Sequence, residues 1–341
     1  MGLTRNQVVI VAILLAGATL VVLNQTLLSP AYPSIMADLQ ADATTVQWLT
    51  SAYSLVEAIV IPLSAFLIGR FPTRKLFIAG VSVFALGSLM AAFSPFFGIL
   101  LLGRIFQAAA TGVVMPMVFT VILLIFPREK RGSAMGIVSL VIGFAPAVGP
   151  SLSGLLVESV GWRSLFMLVT ALAVLIVVLA IVFLKSYGEF EPTSFDKPSV
   201  ALCSLGLLGL LYGLATITSA TNIAIPIALI VAGAILLTFF VRRQLRLEVP
   251  LLKVDVLKSR SYAIVVVLVA LLQAALVGTG VLLPIYLQNL LGVSALETGL
   301  IMLPGAVLGA ISIYYVLGWP KIRQELELGR EKPLHRAFGI A

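Results

Sequence analysis

Two ionisable side chains fall within long apolar stretches of this sequence: Glu57, in Trp48-Leu-Thr-Ser-Ala-Tyr53-Ser-Leu-Val-Glu57, and Arg104, in Leu102-Gly103-Arg104-Ile-Phe106-Gln107. Inside a bilayer such a group carries an insertion penalty of about 2.5 to 3.5 kcal/mol, so one that persists faces a cavity or a partner. Apolar surroundings favour the neutral form of an acid, which makes Glu57 a group able to load and release a proton. The alternative is a permanently protonated acid bonded across helices. Arg104 keeps its proton under ordinary conditions, so it acts by biasing a titrating neighbour or by organising a polar network. Asn24 and Gln25, together with Gln107 and Gln273, are amides that hydrogen-bond but cannot carry a proton by themselves. They read as interhelical glue or as the lining of a polar cavity.

Two further groups of residues concern movement rather than protons. The stretch from Gly143 through Pro146, Gly149 and Pro150 to Gly154 places two prolines and several small residues within about three turns. Proline removes backbone hydrogen bonds and small residues allow another helix close approach, so this segment suits a contact that moves, or a static kink. Arg70, Arg74 and Lys75 sit together in a short connection. They either fix topology or latch onto neighbouring helix ends, whose C-terminal dipoles favour cations.

These residues need elements to hold them, and the composition says what kind. The chain has 341 residues, 60% of them hydrophobic and 11% charged, with a mean hydropathy of +1.14. That is more apolar surface than one soluble core can bury, and lipid is the economical solvent. A helix needs about 20 apolar residues to cross the roughly 30 Å hydrocarbon layer. Ten stretches meet that length: 8–28, 46–68, 76–93, 97–126, 133–157, 163–184, 199–218, 222–241, 261–287 and 295–317. The expected fold class is therefore all-α, a polytopic membrane bundle of about ten helices.

Orientation follows from Lys and Arg, which tend to stay cytoplasmic in short connections. Of 22 basic residues, only Arg104 and Arg163 depart from a pattern that puts the rest on one side of the membrane. The opposite connection 29–45 carries Asp38 and Asp42 but no Lys or Arg. Both termini are expected in the cytoplasm, of a multi-pass protein in the cell membrane. The two longest connections on the basic side between spans, 185–198 and 242–260, bracket one helix pair. The expected organisation is a six-helix bundle over 1–184, a linker with two extra helices over 185–260, two helices of an incomplete second bundle over 261–317, and a polar tail over 318–341.

Composition also excludes several functions. The net charge of +8 comes from residues scattered between apolar runs rather than a basic soluble face, which argues against nucleic acid as a partner. One cysteine, Cys203, and one histidine, His335, leave neither a disulfide nor a Cys/His metal cluster. No cofactor is expected. An intramembrane lipid enzyme generally needs clustered acids, histidines or a metal, and Glu57 is alone within the apolar stretches.

The motifs, in order, resemble the major facilitator superfamily and specifically its fourteen-span drug:proton antiporter branch, close to the lincomycin-resistance-like multidrug exporters. Leu23-Asn24-Gln25-Thr26-Leu27-Leu28 is similar to the first-helix signature, and Phe66 through Gly69-Arg70-Phe71-Pro72-Thr73-Arg74-Lys75 to the loop between helices two and three. Leu102-Gly103-Arg104-Ile-Phe106-Gln107 resembles the fourth-helix basic motif. Ala145-Pro146 to Gly154 resembles the antiporter motif, followed by Gly161-Trp162-Arg163-Ser-Leu-Phe166. Leu283-Pro284 to Gln288 and Glu297-Thr298-Gly299-Leu300 to Pro304-Gly305 resemble the start of the second half. The resemblance implies two six-helix bundles joined by an extra pair, alternating access, a proton gradient as energy source, and export of lipophilic, often cationic small molecules. It places Arg104 in the proton-coupling network and the fifth helix at the bundle interface. Asn24 stands where the branch commonly has an acid, which raises Glu57 as its substitute. The last four helices of that architecture are absent, so a shortened product is expected, either inactive or dependent on a partner.

Overall fold

The structure, a computed structural model, describes residues 5–127, 131–186, 196–217, 220, 222–247, 250–252, 254–294, 296–302 and 304. Among the described residues the longer regular elements are ten α-helices: α1 (Arg5–Leu27), α2 (Tyr32–Leu39), α3 (Ala43–Arg70), α4 (Thr73–Ala92), α5 (Phe97–Ile125), α6 (Arg131–Ser159), α7 (Arg163–Phe183), α8 (Lys197–Thr216), α9 (Ala224–Gln244) and α10 (Arg260–Ile285). Among the described residues there is no strand, as an environment without water to satisfy open sheet edges requires. Among the described residues eight helical spans have the length and hydropathy to cross a membrane, and α6, 29 residues long, packs beside them.

The chain breaks its helices where local chemistry directs. Pro30 cannot donate a backbone bond, and α1 gives way there to a tight 3-10 turn, Ser29–Ala31. The chain then resumes as α2, so part of the connection expected over 29–45 is helical; Gln40, at φ +50°, ends it in the left-handed region. Asp42 caps α3, its carboxylate accepting from the Thr45 N–H at 2.7 Å. That bond holds the Asp42 carboxyl below its usual range. Pro284 lies in the last turn of α10, which passes into a π-turn over Tyr286–Leu290. The expected span over 295–317 falls largely outside the described residues, as does the tail over 318–341; residues 296–302 are helical.

Packing sorts these helices into a core and a periphery. In the core, α1 packs on α6 and α7, α4 on α5 and α7, and α3 on α5. Ile10, Leu14, Phe77, Phe84, Leu100 and Met117 are fully buried where these helices meet. At the α4–α5 crossing a Cβ on Gly87 would stand 2.6 Å from the Gly103 carbonyl oxygen, and one on Gly103 would stand 2.6 Å from that of Gly87. No side chain fits there, and the two backbones touch. Outside this core, α8 lies against α3, with Trp48 and Tyr212 rings 5.6 Å apart, and α9 lies against α8. Helix α10 is exposed along most of its length and meets the core near its C-terminal end, where Ile285 packs and Gln288 donates to the Pro30 carbonyl at 3.4 Å.

Polar contacts gather at two opposite ends of the bundle. At one, Arg163 pairs with Asp38 at 2.6 Å and donates to the Ser94 carbonyl at 3.0 Å, while the Trp162 indole donates to the same Asp38 oxygen. At the other, Arg74 donates to the Ile181 carbonyl in the last turn of α7.

Candidate functional site

Three core helices bring most of the sequence-predicted polar residues together. Helix α5 supplies Arg104, Gln107 and Thr111, which one face presents because positions three, four and seven apart align on a helix. Helix α1 supplies Asn24 and Gln25, and α3 supplies Tyr53 and Glu57, also four apart.

Gln107 is the hub. Its carbonyl oxygen accepts from the Arg104 guanidinium at 2.8 Å and from the Asn24 amide at 3.2 Å, and its own amide donates to the Ser88 hydroxyl on α4 at 2.7 Å. One side chain thereby joins α1, α4 and α5. Arg104, only 2% exposed, also donates through Nε to the Leu49 carbonyl at 3.4 Å, and its guanidinium lies over the Tyr53 ring, 4.2 Å from the centroid. A planar, delocalised cation suits that stack. The Tyr53 hydroxyl meets the Thr111 hydroxyl at 2.5 Å, and Thr111 in turn donates to the Gln107 carbonyl of its own helix. Tyr32 closes against Thr50 nearby.

Glu57 sits at the margin of this network, half-buried, with the Gln25 amide donating to its carboxylate at 3.3 Å. It lies within electrostatic reach of Arg104. None of the three ion pairs among the described residues involves either group. The arrangement therefore holds a fixed cation in a cradle of neutral acceptors, with an acid beside it that no salt bridge occupies. An acid so placed is available to a proton or to a cationic group; the guanidinium makes the choice electrostatically consequential.

The remaining predicted residues are distributed elsewhere. Gln273 lies on α10 with an exposed side chain and is not brought to the network. Arg70 is exposed over the Phe66 ring, and Lys75 is exposed, while Arg74 reaches the α7 end as a helix-end latch would. Helix α6 runs through Gly143, Pro146, Gly149, Pro150 and Gly154 without interruption; the side chains at 143 and 146 lie outside the described set. Gly149 packs directly on Thr26 of α1, Ser153 donates to the Leu27 carbonyl at 2.6 Å, and Gly154 is buried. On another face, Ser151 donates to the Gly299 carbonyl at 3.1 Å, and a Cβ on Gly299 would stand 2.5 Å from the Pro150 carbonyl oxygen. Helix α6 thus touches the first helix and the segment beginning at 296.

Sequence reasoning assigned no role to Tyr53, Ser88 or Thr111. The spacing of Tyr53 to Glu57 and of Gln107 to Thr111 was a usable signal, since both pairs are i, i+4. Nothing local marks Ser88, which joins only because α4 and α5 approach so closely at the glycine pair.

A buried polar network inside long, predominantly apolar helices defines a polytopic membrane protein of the helical-bundle class. The sequence matches the Major Facilitator Superfamily over residues 14–341, and the chain belongs to that family, whose members are transporters rather than enzymes. It is 46% identical over 304 residues to the uncharacterized MFS-type transporter YcnB of Bacillus subtilis, covering 89% of this chain and 64% of that protein. It is 36% identical over 303 residues to the lincomycin resistance protein LmrB of Listeria monocytogenes, again over 89% of this chain and 64% of the relative. The chain therefore spans just under two thirds of the length of each. Among solved structures, the human organic anion transporter MFSD10 shares the fold, with a TM-score of 0.58 at 14% identity over 92% of this chain and 72% of that one.

Proposed function

We propose that this chain acts in proton-coupled export of lipophilic, drug-like small molecules by alternating access, as a multi-pass protein of the cell membrane with both termini in the cytoplasm. The observation that carries the reading is the pairing of Glu57, half-buried and bonded only to an amide, with Arg104, buried in neutral surroundings. A proton gradient is the energy source, and no bound cofactor takes part.

In this reading Glu57 exchanges its proton between the two sides. Gln25 holds the carboxyl in place, and Arg104 is the fixed positive charge nearby. Asn24, which cannot ionise, fastens α1 to the Gln107 hub instead. Helix α6, with its two prolines and its contacts through Gly149 and Pro150, serves as the seam along which the bundles shift. Arg74, bonded to the end of α7, is the cytoplasmic latch, with Arg70 and Lys75 exposed beside it. The resistance named for LmrB supports drug-like substrates, and the reading carries with it the expected organisation of a six-helix bundle over 1–184 and an inserted pair over 185–260.

The test is transport of a fluorescent lipophilic cation into inverted membrane vesicles under an imposed pH gradient. Glu57→Gln is expected to abolish pH-driven uptake while the protein remains normally inserted. Unchanged proton-driven uptake in that variant removes Glu57 from the mechanism.

A further inference from the structure

The inserted helix pair carries a feature that neither the polar network nor the transport reading uses. Helix α9 packs on α8 through the face bearing Gly233, Phe240 and Gln244, and at the end of that face Arg243 is committed to Asp196 by two bonds of 2.9 Å. The opposite face is different. Val231, Ala234, Ile235 and Phe239, with Ile230 at the edge where it packs on Gly213 of α8, line a shallow apolar groove of about 450 Å³ that has Arg242 at its basic end. Arg242 is exposed, and so is Arg246 one turn further on. Thr238, the polar residue along the groove, turns its hydroxyl back to the Ala234 carbonyl at 2.8 Å and so presents little polarity to a ligand.

A groove on an apolar span, ending in exposed basic residues at the membrane boundary, has the shape and charge order of a phospholipid: hydrocarbon along the helix, then an anion. We propose that the outer face of α9 binds one anionic membrane phospholipid, its acyl chain in the groove and its phosphate between Arg242 and Arg246. Charge complementarity selects the occupant, since a zwitterionic lipid adds a cation beside the two arginines. Basic residues near an anionic membrane surface each contribute roughly 1 kcal/mol, which corresponds to about fivefold in retention per arginine. The site does not depend on transport.

The experiment is native mass spectrometry of the full chain, purified in mild detergent after equilibration with mixed phosphatidylglycerol and phosphatidylcholine. The expected result is one retained phosphatidylglycerol, lost about fivefold in Arg242→Gln and about 25-fold in the Arg242→Gln/Arg246→Gln pair. Ala234→Trp, which fills the groove without changing charge, is expected to abolish retention. Lys258→Gln/Arg260→Gln, which alters basic residues away from the groove, is expected to leave it unchanged. Equal retention of phosphatidylcholine, a wild-type protein free of lipid, or indifference to both the arginine and the groove-filling variants overturns the proposal.

Discussion

At the scale of single residues, the network makes unequal use of its members. The Asn24–Gln107 bond joins two neutral amides, and interhelical bonds of that kind average only about 0.6 kcal/mol in membranes. The Arg104–Gln107 bond involves a charged donor buried almost completely, and a hydrogen bond to a charged group is worth about 1.5 to 3 kcal/mol. Gln107→Leu removes both at once, together with the bond to Ser88, whose hydroxyl keeps only the Phe84 carbonyl of its own helix. The expected outcome is a loss of about 3 kcal/mol for Gln107→Leu against well under 1 kcal/mol for Asn24→Ala. Thermal unfolding in detergent, read as the difference in midpoint between the two variants, checks the ranking.

At the scale of elements, α8 and α9 are fastened at their basic end by a clasp around Asp196. Asp196 accepts both Arg243 bonds and also meets the Ser199 hydroxyl, while Gln244 donates to Ser199 at 2.7 Å and accepts from the Leu252 N–H at 3.1 Å. The Arg243 guanidinium, with help from Ser199, holds the Asp196 carboxyl down at about 2. A carboxyl lowered on folding contributes stability that is complete above its unfolded value, about 3.9 for aspartate, and disappears as pH falls through the folded value. The clasp is therefore expected to stay constant from neutrality to about pH 4 and to weaken between about pH 4 and 2. Spin labels at Lys197 and Arg246 read the closure: their separation should widen only across that acid window, and Asp196→Asn should widen it at neutral pH. Most helix boundaries were legible from sequence to within a few residues, because the length of each apolar run set them; the parts played by Pro30 and Asp42 at the ends of α1 and α3 emerge only in the structure. The short helix over Tyr32–Leu39 was not legible either, since its eight residues are too few to show as a span of their own.

At the scale of the molecule, what the sequence conveyed was composition and order, and what it withheld was register. Apolar length gave the spans, and basic residues gave their alternation. The structure adds that Asp38, Ser94 and Arg163 meet at one end while Arg74 and the α7 terminus meet at the other. Which residues face one another across helices depends on crossing geometry, which is why Gln107 was foreseen as one amide among several and Gln273 stood beside it with equal claim. Cysteine placed at Asp42 is expected to react with a membrane-impermeant maleimide in intact cells, and cysteine at Lys75 only after permeabilisation. The reverse pattern inverts the topology.

Asn24 and Gln25 are neighbours in sequence, so their side chains leave α1 about 100° apart, one bonded toward the guanidinium's helix and the other toward the acid's. Any turn of α1 about its axis displaces both amides together. Whatever rotates that one helix, a ligand pressing on it or a shift of α6 against Thr26, alters the setting of the acid and of the arginine in a single stroke, with no chain of intermediaries between them.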